Sequence, residues 1–320
     1  MPTLNIKKSV LFEKITPEDT IIKKISIEAS QKRLSLQDAL INKDDERAKI
    51  AVKEYRNSFN ILLSELEKNR SKTILKEQPQ FDWNFGSKRH MSSCWIWELL
   101  MIHAVGFDVN YNLGLKHSNE ENFKSASKMF HCAGEYVQTI IQKILPRWTW
   151  KEDPSVHITF ERFWVSKLYY IYALKDLSTL QFGLSSDNGI TDKNIIKLLE
   201  RIEGFNNLSM VKWFDNDNED LMNWIRVSRA IHLANRKAKD EEFGVAIGTL
   251  EAWETVFNDL NNISQLKTIM EVLILNLNGI IENKQEWVNS NNFIHHDTIE
   301  FVELIDITNI ADIKNEIKSL

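Results

Sequence analysis

The chain has 320 residues, 43% apolar and 27% charged, with a formal net charge of −5 and a mean hydropathy of −0.33. These are the values of a soluble globular protein, long enough to bury the core of one large domain or two small ones. The net negative charge, with no basic stripe interleaved by aromatics, gives no case for a nucleic-acid partner.

Residues 1–27 alternate loosely through Leu4, Ile6, Val10, Phe12, Ile21 and Ile22, which predicts short strands within 1–30 around a Thr16-Pro17 turn. From Ser35 the period becomes helical, with Leu36, Ala39, Leu40, Ile50, Tyr55, Phe59, Leu62, Leu63 and Leu66 at three- and four-residue steps. A connection over 73–80 leads to Phe81, Trp83 and Phe85, which alternate as a short strand or an extended anchor. The stretch from Trp95 to Leu115 is apolar on most sides and predicts a central buried helix. An amphipathic helix follows over Asn119–Leu145, then a loop, RWTWKEDP, bracketed by Pro146 and Pro154. No proline follows Pro154, which fits long helices joined by Asn, Asp, Lys and Gly connections. Two of these helices are predicted at Phe163–Leu180 and Ile195–Phe205.

The stretch Leu221–Leu260 organises the rest. Trp224, Ile225, Val227, Ile231, Leu233 and Ala234 form one broad helical face, and Phe243, Val245, Ile247, Leu250, Trp253 and Phe257 form a second after the charged run Lys237–Glu242. A hairpin of this kind buries its apolar faces only when further helices stack on it, as in tetratricopeptide-like repeats. The expected fold is therefore mostly α, a helical-repeat solenoid with a few short N-terminal strands. It forms a single domain over 1–320, whose helical core covers 35–310. Such a scaffold suggests binding before catalysis.

The motifs of catalysis are missing: no G-x-G-x-x-G, P-loop, G-x-S-x-G, H-E-x-x-H or C-x-x-C occurs. Asp215, Asp217 and Glu219 imitate half a calcium loop, but Asp220 and Arg226 stand where glycine and glutamate are needed. His295, His296 and Asp297 are read as structural, because neighbouring histidines on a helix point to different faces. Cys132 beside His131 fails as a nucleophile–base pair for the same reason. Cys94 and Cys132 lie in apolar helical patterns and read as buried, reduced thiols of a cytosolic protein. No cofactor, metal or small-molecule substrate is expected, and no enzyme. The N-terminus lacks an apolar signal segment, and Ile269–Ile281 is too short and too interrupted by Asn276 and Asn278 to span a bilayer. With no cysteine four from the end for prenylation, membrane contact is expected to be peripheral or borrowed from a partner.

Five collinear stretches over roughly residues 5–310 together resemble the Bro-one domain, the ALIX-type domain of endosomal sorting adaptors. EYRNSFNILLSELE with FDWNF is similar to that family's helix leading to a Phe-x-Trp element, and Trp95–Gly114 resembles its buried central helix. Ala126, Phe130, Ala133, Gly134 and Tyr136 match its A-x-x-F-x-x-A-A-G-x-F helix. Ala230, Ala234, Phe243, Gly244, Ile247 and Leu250 match its later hairpin, and Asn292, Ile294, His296 and Ile299 match its ending. Two departures stand out: YYIYALKDLSTLQF replaces an Ala-Gln-Ala-Gln run, and His295 replaces a tyrosine.

The resemblance implies a banana-shaped domain whose concave apolar groove binds the C-terminal amphipathic helix of an ESCRT-III filament subunit. It also implies a cytoplasmic protein recruited to endosomal or other ESCRT-bearing membranes. The family's groove positions fall on Phe182, Ile195 and Leu199. With Ile196, Leu198 and Ile202, the last two make an apolar arc roughly 160° wide, where docking on one neighbour needs only about 100°. A helix flanked on two sides would instead bury that arc entirely. Trp148 and Trp150, beside Arg147 and Lys151, are candidates for a lipid headgroup layer, the alternative being packing onto their own domain. The competing function is a helical-repeat scaffold for another peptide, in a Rho- or kinase-pathway setting.

Overall fold

Alternation at the start of the chain does produce a strand, one among the described residues of that stretch. The computed structural model describes residues 4–8, 10–16, 20–69, 75–85, 88–148, 157–186, 189–208, 218–263 and 271–290. In it, β1 (Leu4–Lys8) pairs antiparallel with β2 (Phe81–Phe85), which pairs antiparallel with β3 (Lys88–Ser92). Phe81 and Trp83 turn to the buried face, as period-two alternation requires. Asp82, between them, turns the other way and takes the Arg89 guanidinium at 2.9 Å through Nε and 2.6 Å through Nη2. That hydrogen-bonded partner holds the Asp82 carboxyl below its ordinary range.

The described remainder is mostly helical: α1 (Phe12–Ile15), α2 (Thr20–Ile41), α3 (Asp45–Lys68), α4 (Trp95–Asn119), α5 (Phe123–Thr139), α6 (Glu161–Ser185), α7 (Asp192–Leu208), α8 (Asn218–Lys239), α9 (Phe243–Ile263), α10 (Glu271–Glu282) and α11 (Lys284–Ser290). Expected strands after β1 are replaced by α1 and α2, and the first long helix begins at Thr20 instead of Ser35. The buried face of α2 is Ile22, Ser26, Ala29, Arg33 and Leu36, which is helical spacing carried partly by polar and small residues. Hydrogen bonds make that burial tolerable: Ser30 Oγ accepts from Phe12 N at 2.8 Å, and the Ser26 and Thr16 hydroxyls meet at 2.9 Å. Cys94 and Cys132 are half-buried where full burial was expected, and neither forms a disulfide.

Three helical hairpins close with the same turn. Lys43, Glu121 and Glu241 adopt φ of 53°, 57° and 63°, the left-handed position that ends a helix. The next residue reaches back five positions in each case: Asp44 N to Ala39 O, Asn122 N to His117 O and Glu242 N to Lys237 O, at 3.1, 2.8 and 2.9 Å. Its own carbonyl then accepts from a buried alanine of the following helix, Ala48, Ala126 or Ala246. No glycine fills the left-handed position, although a Cβ is unfavourable there. Lys43→Gly, Glu121→Gly and Glu241→Gly are each expected to raise stability by about 0.5–1 kcal/mol. Urea denaturation would read this; a loss at all three positions would show that the side chains hold these turns.

The chain divides into two compact units, Met1–Lys116 with Met129–Leu168, and His117–Lys128 with Tyr169–Leu320. In the first, Phe12, Phe59, Phe81 and Trp95 form an aromatic cluster with centroids 5.7–6.4 Å apart. The predicted central helix is α4, buried without a break from Trp97 to Asn110. Its small residues set the approach of α5. A Cβ on Gly106 would lie 2.3 Å from the Tyr136 ring, and one on Gly114 would lie 2.5 Å from the Phe130 ring. In the second unit α8 is the buried helix, packed by α7, α9 and α10, with Trp224 and Phe257 edge to face at 5.8 Å.

Candidate functional site

The sequence directs attention to α6 and α7 in the second unit. Lys175, Thr179 and Phe182 recur along α6 at four- and three-residue steps, so they share a face. Thr179 is tied to the start of α5 by a 2.9 Å contact between its hydroxyl and that of Ser127. One turn earlier on α5, Lys124 places its Nζ 6.0 Å from the centroid of the Phe182 ring, within cation–π range. Phe182 remains 41% exposed. The next residue, Gly183, lets the chain fold back tightly, since a Cβ there would stand 3.0 Å from that of Ile190.

Ion pairs and hydrogen bonds fix α7 on both sides. Arg201 Nε lies 3.1 Å from the Asp176 carboxylate on α6. Toward α8, Glu203 receives the buried Arg229 guanidinium at 2.8 Å, with Arg226 at 3.5 Å. At the other end of α7, Asp192 accepts from His232 Nδ1 at 3.0 Å, from Asn235 Nδ2 at 3.0 Å, and from Lys239 Nζ. Burial by itself pushes the Asp192 carboxyl up, but the hydrogen bonds from His232, Lys239 and Asn235 together reverse that and hold it well below the ordinary carboxylate range. The group is a permanently charged clamp. Its partners recur at positions 232, 235 and 239, one polar stripe along α8.

Of the three expected groove residues, the structure presents one. Ile195 and Leu199 do share a face of α7, as their spacing demands, but they are 2% and 0% exposed. The reason is the flanking: α7 is held by α6 through Arg201 and by α8 through Glu203 and Asp192, so two neighbours consume the apolar arc. A polar residue at Ile195 would report on folding before it reported on docking. Trp148 is half-buried with its ring 6.1 Å from that of Trp97, packed onto its own unit. Trp150 and the stretch 292–299 lie outside the described residues. Among the described residues, no group of three His, Cys, Asp or Glu is placed to hold a metal ion.

Sequence reasoning missed Lys124 and the Asp192 clamp. The clamp left a trace, because His232, Asn235 and Lys239 are spaced for one helical face. Lys124 left none, since nothing in the sequence sets it beside a ring 58 positions away.

No family model matches the sequence, and no curated protein matches it. Solved structures do. The chain superposes with a TM-score of 0.65 at 14% identity on ALIX, in a crystal structure with the SIVmac239 late-domain peptide PYKEVTEDL. That match covers 95% of this chain and 46% of the ALIX chain, so the protein spans about half of that neighbour's length. A second match has a TM-score of 0.62 at 11% identity and covers 100% of this chain and 95% of the other. It is a structure described as the basis for endosomal targeting by the Bro1 domain.

Proposed function

The chain has the fold of a Bro1 domain, and on that premise we propose that it is a non-catalytic, ESCRT-associated adaptor. Its partner is the C-terminal amphipathic helix of an ESCRT-III subunit, seated against the Phe182 face of the second unit. The observation that carries this reading is Phe182 itself, a large aromatic left 41% exposed beside a lysine, on elements locked by ion pairs. A rigid apolar anchor point flanked by charge is what helix-in-groove recognition uses. The guest packs an apolar anchor on the Phe182 ring and brings an acidic side chain to Lys124. Ile195 and Leu199 are buried in the packing of α7, and they touch the guest little or not at all.

Of the two structural neighbours, ALIX with its late-domain peptide supports a peptide partner in general, and the Bro1 domain described for endosomal targeting supports an endosomal setting. Recruitment of this chain would carry it from the cytoplasm to endosomal or other ESCRT-bearing membranes without insertion. Among the described residues, no helix is long and apolar enough to cross a bilayer. Trp148 takes no part in the proposal, because reaching lipid would pull its ring from Trp97.

Phe182→Ala is expected to weaken binding of such a helix by about 1–3 kcal/mol, roughly five- to 150-fold in Kd. Because Phe182 is exposed, the variant should melt like the parent. Titration of both proteins with peptides from ESCRT-III C-terminal tails is the measurement. Equal affinity in a folded Phe182→Ala protein would remove the seat from this face.

A further inference from the structure

We draw no further inference here: the strongest candidate, the exposed apolar line of Ile27, Leu34 and Ile41 along α2 of the first unit, carries nothing because nothing in the structure shows what covers it.

Discussion

Glu98→Ala is expected to remove about 3–5 kcal/mol of stability, the cost of stranding a buried charge. The Glu98 carboxylate on α4 is fully buried and accepts from three other elements at once. Arg33 Nε of α2 donates at 2.8 Å, the Tyr55 hydroxyl of α3 at 2.6 Å and Trp83 Nε1 of β2 at 2.6 Å. Arg33 also lies over the Trp83 ring, 5.6 Å from its centroid. Burial, with the nearby carboxylate, pushes the Tyr55 hydroxyl well up, so it stays a proton donor. Deleting the acceptor leaves a guanidinium, a phenol and an indole facing one another without water. Glu98→Gln should lose less, because the shape survives while the charge does not. Arg33→Met with Glu98→Leu should recover much of the loss, since the uncompensated charge is then gone. Urea denaturation of the three variants distinguishes these cases; a loss below about 1 kcal/mol in Glu98→Ala would mean that the carboxylate is not the hub.

Asp108→Asn is expected to make the first unit acid-labile, and His103→Gln is expected to do the reverse. Both residues are buried in α4, where burial raises the Asp108 carboxyl to about 6 and lowers the His103 imidazole to about 4. His103 donates through Nδ1 to Leu99 O at 2.9 Å and sits edge-on to Tyr136; that hydrogen bond by itself favours the charged ring, and burial outweighs it. Asp108 favours the folded state when protonated. Its contribution is complete below pH 3.8 and is lost as pH rises through about 6. His103 favours the folded state when neutral. Its contribution is complete above pH 6.5 and is lost as pH falls through about 4.

A tenfold change in proton affinity corresponds to about 1.4 kcal/mol, so each group is worth about 3 kcal/mol, and between pH 4 and 6.5 the two nearly cancel. The parent should therefore show little pH dependence from this pair. Asp108→Asn should be more stable than the parent at about pH 7.5 and should lose about 3 kcal/mol on acidification to about pH 4. His103→Gln should gain a similar amount over the same range. Denaturation midpoints across that interval decide it, and parallel pH profiles for the parent and both variants would refute the pairing.

What the sequence made legible follows from how burial is achieved. Where apolar residues carry the period, as in α4, α8 and α9, element type and approximate extent could be read directly. In α2 the buried face uses Ser26, Ser30 and Arg33, and hydropathy cannot distinguish these from solvent-facing residues. The same limit applies to the candidate site. Spacing placed Ile195 and Leu199 on one face of α7, but whether that face is open depends on how many helices flank it. That number is set by long-range pairs such as Arg201 with Asp176 and His232 with Asp192, which join positions 25 and 40 apart. Phe182 was named as a position through the family resemblance, and only the structure shows it 41% exposed.

The recesses at Gly106 and Gly114 bear on how a sequence like this one drifts. Each holds a ring from α5, so the distance between two helices is set by the thickness of one aromatic side chain. Neither partner is free to change alone: a methyl added to the glycine needs a smaller residue at Tyr136 or Phe130, and the reverse holds for a lost ring. Such positions should be inherited as couples, swapping bulk between helices while their sum is kept. Ancestry in chains of this kind would then be recorded in paired exchanges across α4 and α5, long after residue-by-residue likeness has worn away.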